Sequence, residues 1–327
     1  MTYEEAIDRV SRRLRDYPRN TWQENEIRDY LNDGYREFTR LTHCLKKHGQ
    51  TIISVDTSLY NVPSDNIIIY RAEWDGRVCA IYTTQEMDKL YGGYDWRNTE
   101  GEDVLSIIHD GEGYPQIRTY PIITDANQIG HLVTGTDSNS YRCIVGHTSA
   151  SANKPITGAD YADYWETYNG LGTDGTWATA TEYYKYLELE LDYIYLPAEL
   201  PIIVDGTDSK RYECILDHTS AAADTPITGA NYATYWSEYT GDKDGSTWVT
   251  GTVYAGYIYD IPVIYHQALV EYAVSQCQFA EVQSQKKAYS SDVHYERYMK
   301  MVRACKSESM RGFTIDKTSH IYGREFL

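Results

Sequence analysis

The sequence predicts an α+β fold: a helical host domain with a central β region, and two small all-β modules inserted into it. Three observations carry this reading. Apolar residues recur at helical spacing at both ends of the chain, the middle alternates with strand periodicity between turn signals, and one stretch of the middle occurs twice.

The first elements are helical. Thr2-x-x-Glu5 and Thr21-x-x-Glu24 match the capping box, in which a hydroxyl and a carboxylate satisfy the free N–H groups of a helix start. After the first box Ala6, Ile7, Val10 and Leu14 share one face, and after the second Ile27, Leu31, Tyr35, Phe38 and Leu41 do. Pro18 has no N–H to donate and separates the two as a helical hairpin. Strand-like runs follow at 51–55, 67–71 and 77–80, separated by an Asn-Val-Pro-Ser-Asp turn at 61–65 and by the hairpin signal Asp75-Gly76. Trp96 and the stretch 114–121 complete this β region.

The repeat comes next. Residues 135–183 and 206–254 align at an offset of 71 without a gap, with 28 identities in 49 pairs. The pairs Cys143/Cys214, His147/His218, Trp165/Trp236 and Trp177/Trp248 are among them. Each copy reads as a β module: a strand near 141–145, a Pro-Ile-Thr-Gly turn, an aromatic segment ending in Tyr-Trp, a Gly/Asp loop and a strand near 177–183.

The residues between the copies are no flexible linker. Leu187, Leu189, Leu191, Tyr193 and Tyr195 alternate with Glu188, Glu190, Asp192 and Ile194, a half-buried strand of about ten residues ended by Pro197. Such a strand needs partners that neither module supplies, so the modules are expected to interrupt loops of a host. The expected boundaries are host 1–125, module 126–183, host strand 184–202, module 203–257, host helices 258–305 and a C-terminal extension 306–327. In the host helices Ile264, Ala268, Leu269, Tyr272, Ala273 and Gln276 form one face, and a second helix over 275–305 carries Tyr295, Tyr298, Met299 and Val302.

Composition excludes several classes. The chain has 30 Lys and Arg against 48 Asp and Glu, a formal charge of −18, and residues 49–258 alone hold 11 basic and 31 acidic groups. A duplex-DNA reader working by phosphate neutralisation is hard to build from that balance. Tyr is abundant, at 33 against 4 Phe, and supplies rings that tolerate water at one end. No apolar run has the length of a membrane span, and Met-Thr-Tyr-Glu-Glu lacks a signal-peptide pattern, so a soluble, unprocessed chain is expected. Six scattered cysteines without a CxxC pair indicate reduced thiols, not a disulfide scaffold or zinc ribbon.

Catalytic signals are lacking. No P-loop, GxSxG, HExxH or dinucleotide fingerprint occurs, and Glu188/Glu190 as a glycosidase-type pair is explained by the abundance of carboxylates. Cys143/His147 and Cys214/His218 each offer two metal ligands, short of a tetrahedral set. Asp174-Gly175 and the loop 242–245 lack calcium-loop spacing. No catalytic residue, metal or cofactor is therefore expected. The aromatic residues Tyr161, Trp165 and Trp177, with Tyr232, Trp236 and Trp248, leave two readings open: the core of a small module, or rings that contact a sugar or a partner.

The order of motifs carries a resemblance. The helical hairpin, Val-Pro-Ser-Asp at 62–65, Asp75-Gly76, Trp-Arg-x-x-x-Gly at 96–101, Gly-Tyr-Pro-x-x-Ile-Arg-x-Tyr-Pro at 113–121, Tyr-Leu-Pro-Ala-Glu-Leu at 195–200 and the helix from Ile261 resemble the head-to-tail adaptor proteins of tailed bacteriophages. The match covers the host, with the repeat copies standing where the family has short links. The copies resemble small repeats of phage virion proteins and, more distantly, chitin-binding-type carbohydrate modules.

This resemblance implies a non-enzymatic virion protein. It would be made in the bacterial cytoplasm and form a ring, commonly of twelve copies, at the neck between portal protein and tail or nozzle proteins. DNA would pass through the ring without sequence-specific binding, and the ring would help retain the packaged genome. The extension would be the portal contact, with Lys306, Arg311, Phe313, Ile315, Tyr322, Phe326 and Leu327 as candidate residues. The alternative is a tail-associated receptor-binding protein whose modules bind surface carbohydrate.

Overall fold

A computed structural model describes residues 1, 3–17, 21–101, 104–125, 129–170, 172–240, 244–254, 256, 259–282 and 288–310. The chain opens with helices α1 (Tyr3–Leu14) and α2 (Glu24–Thr42), followed by β1 (Lys46–Thr51), β2 (Leu59–Asn61), β3 (Asn66–Trp74), β4 (Arg77–Tyr82), α3 (Thr84–Leu90), β5 (Ser106–Ile108) and β6 (Gln116–Tyr120). The first repeat copy supplies β7 (Leu132–Thr134), β8 (Ser140–Cys143), β9 (His147–Thr148), β10 (Trp165–Tyr168), β11 (Gly175–Thr176) and β12 (Glu182–Tyr183), and β13 (Leu189–Tyr195) follows it. The second copy supplies β14 (Ile203–Asp205), β15 (Arg211–Cys214), β16 (His218–Thr219), the single turn α4 (Tyr232–Tyr235), β17 (Trp236–Tyr239), β18 (Ser246–Thr247) and β19 (Val253–Tyr254). Helices α5 (His266–Val282) and α6 (Ala288–Ser309) end the described chain. Two compact units result, residues 46–195 and residues 1–45 with 196–327.

The first unit is built on a seven-stranded sheet of order β1-β13-β3-β4-β5-β6-β2. Strand β13 lies between β1 and β3, antiparallel to both, which buries Leu189 and Leu191 beside Ala72 and Trp74. Its alternation breaks where the register with β3 shifts after Asp192, so Tyr193 and Ile194 are both buried, although Ile194 was expected on the polar side. The strand expected at 51–55 is β1, displaced to Lys46–Thr51. It pairs with β13 only as far as Leu189, and Ile53 enters the core from irregular backbone. Asp75 and Gly76 have φ of 48° and 73° and close the β3–β4 hairpin at the Trp74–Arg77 pair, the backbone a type I′ turn demands.

The second unit is a helical bundle together with the second repeat copy. Tyr3, Ala6, Ile7 and Val10 of α1 and Ile27, Leu31, Tyr35 and Phe38 of α2 are buried, while Leu14 and Leu41 stay half-buried. Helix α5 is surrounded. Ala268, Leu269, Val270, Tyr272, Ala273 and Val274 are all buried, so its apolar residues run around it instead of forming one stripe. Gly34 lets α2 approach it, since a Cβ there would lie 2.7 Å from Tyr272 Cδ1. Glu271, also buried on α5, is ion-paired with Arg13 of α1 and hydrogen-bonded to His294 of α6. Burial alone would push its carboxyl up, but the bonds from Arg13 and His294 outweigh that and hold it below the usual range.

Several helix ends differ from the sequence reading. The box expected at Thr21 forms two residues later, where Gln23 N–H donates to Glu26 Oε2 at 3.0 Å, because the Asp16 carboxylate takes the N–H groups of Thr21 and Trp22. Thr2 and Pro18 lie outside the described residues. The second C-terminal helix does not begin at Ser275, which is inside α5. It runs from Ala288 to Ser309, so Lys306 belongs to a helix and not to an extension.

Candidate functional site

The two repeat copies build the same sheets, β10-β8-β7-β11 and β17-β15-β14-β18, each beside a two-stranded ribbon, β12-β9 or β16-β19. Their centres are superposable in chemistry. Trp165 Nε1–H donates to Asn153 O and Trp236 Nε1–H to Asp224 O, both at 2.8 Å. Each indole meets the ring of Tyr183 or Tyr254 at 5.1 Å and that of His147 or His218 at 5.4 Å. Both Trp side chains are 2% exposed. They are therefore module cores, and Trp165 and Trp236 leave the set of candidate ligand contacts, because a ring closed in on both faces cannot stack on a sugar.

Tyr161, Trp177, Tyr232 and Trp248 are half-buried and pack on the margins of these cores. The indole N–H groups of Trp177 and Trp248 are buried without a hydrogen-bond partner, as are Nε2 of His147 and Nε2 of His218. Lys154 lies 5.6 Å over the Trp177 ring, a place that Thr225 occupies in the second copy.

The Cys–His pairs are packed, not poised for a metal. Sγ to Nδ1 is 3.8 Å in both copies, yet Nδ1 of each His lies within 2.9 Å of a backbone carbonyl oxygen, of Val145 or Leu216, and must carry the proton that bond requires. Burial pushes the Cys143 and Cys214 thiols up to about 11 and about 12. Among the described residues no group of three or more His, Cys, Asp or Glu side chains could hold a metal ion. Asp174 accepts from Ser140 Oγ and Asp244 pairs with Arg211 at 2.8 Å, which makes both loops turns of the sheet; Asp242 and Lys243 lie outside the described residues.

The acidic pair on the sheet unit lines a cavity. A cavity of about 220 Å³ is lined by Asp75, Arg142, Lys185, Glu188 and Glu190 among others. Lys185 Nζ is 2.7 Å from Asp75 and Arg142 is 3.3 Å from Glu188, so these four charges are paired. Burial raises the Glu190 carboxyl, and the neighbouring carboxylates of Glu188 and Glu73 add to that against the opposing effect of His48.

In each copy the same strand position meets an oppositely charged partner within its own unit. Arg142 on β8 pairs with Glu166 and with Glu188, which is only 11% exposed. The repeat-equivalent residue on β15 is Glu213, which lies 4.0 Å from the buried Arg28 of α2. Arg28 also lies 5.5 Å over the Tyr3 ring and 5.0 Å over that of Tyr239. Sequence reading missed these residues, since nothing in the repeat indicates what its surface meets. It also missed α3, for which a signal existed: Thr83-x-x-Glu86 is a capping box, with Thr83 N–H donating to Glu86 Oε2 at 2.8 Å.

At the helical end Lys306 is exposed in the last turn of α6, and Ser309 Oγ donates to the carbonyl of Thr42 at the end of α2. The other candidate portal contacts, Arg311, Phe313, Ile315, Tyr322, Phe326 and Leu327, lie outside the described residues.

Residues 1–313 match the family model of the SU10 adaptor protein. The chain belongs to the SU10 adaptor protein family. The family makes it a phage adaptor in general terms, a structural and non-enzymatic component of the virion neck that meets other capsid or tail proteins. No curated protein matches the chain. Among the described residues no helix is long and apolar enough to cross a membrane.

Proposed function

We propose that this SU10-family adaptor forms a ring of twelve copies between portal protein and tail or nozzle proteins, through which DNA passes and which helps retain the packaged genome. The match over residues 1–313 carries this reading. The end of α6 supports the portal-facing part of it, because exposed Lys306 lies in the last turn of α6, which Ser309 ties to the end of α2. The copies 126–183 and 203–257 are read as decorations inserted into a host made of 1–125, 184–202 and 258–305. Support comes from β13, which follows one copy yet pairs with β1 and β3 of the host.

An acidic channel wall fits the charge balance. Outside the copies, residues 49–125 and 184–202 hold more than half of the acidic excess of the middle, and carboxylates lining a lumen repel phosphate so that DNA slides without sticking. Mass photometry of the full chain alone and with portal protein tests the ring: discrete particles near twelve protomers that join the portal are expected. Cryo-electron microscopy of the virion then places the modules and the wall. A trimer that binds cells and not portal would overturn the reading in favour of receptor binding, and a basic lumen would remove the sliding-wall argument.

A further inference from the structure

We propose that the cavity in the sheet unit binds a primary alkylammonium ion, with Glu190 as the carboxylate that receives it. This goes beyond the adaptor reading and does not depend on it. The cavity, of about 220 Å³, far exceeds the roughly 10–15 Å³ that one water needs and falls short of the roughly 300–1,000 Å³ of a site for a drug-sized ligand, so it suits a small organic ion. Its walls come from segments tied together by backbone bonds. Tyr186 N–H donates to Cys143 O at the end of β8 at 2.8 Å, and Asp75 N–H in the β3–β4 turn donates to Glu188 O at 3.2 Å.

The charges on the wall select a cation. Three carboxylates, Asp75, Glu188 and Glu190, stand beside two cations, and both cations are taken, Lys185 by Asp75 and Arg142 by Glu188. Glu190 is left over. Its register partners are Gln50 on β1 and Glu73 on β3, and Glu73 is itself ion-paired with Arg71. His48, two residues before Gln50 on β1, is engaged by Asp192 at 2.9 Å. Burial and the carboxylates of Glu188 and Glu73 make ionisation of Glu190 costly despite His48, and a cation arriving beside it offsets that cost. An anion would meet three carboxylates and would have to break an existing ion pair to gain a partner. A primary ammonium carries three N–H donors for the acceptor sites of a carboxylate, and Ile144 and Tyr186 supply apolar lining for its alkyl part.

The test titrates n-butylammonium chloride against the full-length wild-type chain and follows the ligand by saturation-transfer NMR. A saturable signal with a Kd on the order of 1 mM is expected. Glu190→Gln should weaken binding about tenfold, as loss of one charge-assisted hydrogen bond does, while Glu182→Gln on exposed β12 should leave it unchanged. The wild-type titration needs neither variant to fold. Putrescine and Nα-acetyl-lysine methylamide, used as competitors, separate the two sources of this chemistry, a free diamine and a lysine side chain of a neighbouring protein, by which of them displaces the probe at lower concentration. A signal that does not saturate, equally strong displacement by sodium chloride or by tetramethylammonium, which has no N–H, or an unchanged affinity in Glu190→Gln would overturn the proposal.

Discussion

The two repeat copies share a core and differ in how they are held. Around Trp165 and Trp236 the hydrogen bonds, ring distances and strand orders coincide, whereas positions 142 and 213 carry opposite charges and meet opposite partners, Glu188 in one unit and Arg28 in the other. After a duplication the interior is constrained by close packing, so it stays. The surface is free to change, and a reversed charge makes each copy complementary to its own attachment and repelled by the other's.

Removing the shared core is the harshest way to probe this comparison. Trp165→Ala and Trp236→Ala should each cost about 3–5 kcal/mol of local stability, to similar extents, as loss of hydrogen-exchange protection confined to the copy that carries the change. Unequal losses would show that attachment, not core, sets module stability. The attachments should then separate the copies. Arg28→Ala removes a buried guanidinium lying over two tyrosine rings and should cost about 3 kcal/mol, while Arg142→Ala, a third exposed and screened by solvent, should cost about 1 kcal/mol or less by urea denaturation.

Acid should move the two units in opposite directions. Glu271 in the helical unit has a lowered carboxyl pKa, so its contribution is present above the unfolded value of about 4.3 and is lost as pH falls through the folded value. Glu190 in the sheet unit is raised by burial and by Glu188 and Glu73 despite the opposing charge of His48, so its unfavourable contribution appears as pH rises from about 4.3 through the folded value. Unit-resolved exchange should show protection falling around α1, α5 and α6 as pH drops from 5 toward 3 in the wild type, with Glu271→Gln flattening that profile, whereas Glu190→Gln should stabilise the sheet at neutral pH. The smallest effect is expected at the module margins. Lys154→Ala should cost about 0.5 kcal/mol in the first copy, whereas Thr225→Lys should recover a similar gain in the second, read as shifts in Trp177 and Trp248 fluorescence midpoints.

Much of the local structure was legible because its causes are local. The faces of α1 and α2 follow from apolar spacing, and the hairpin at Asp75-Gly76 follows from a turn that only such residues enter without strain. Boundaries were less legible where a distant group competes for the same N–H, as Asp16 does at the start of α2, or where a partner strand ends, as β13 ends the pairing of β1. The candidate aromatic site was legible only as a set. Which of its rings are sealed, Trp165 and Trp236, and which lie on the margin depends on a packing that spacing does not specify.

By itself the sequence determined that a module occurs twice, that helices stand at both ends of the chain, and that a half-buried strand separates the copies, because identity, period and turn chemistry are properties of neighbouring residues. The tertiary structure alone decided that this strand lies between β1 and β3, and that Arg142 and Glu213 meet their own units with opposite polarity. Those pairings join residues far apart in the chain, and periodicity specifies which face of an element is apolar without specifying what covers it.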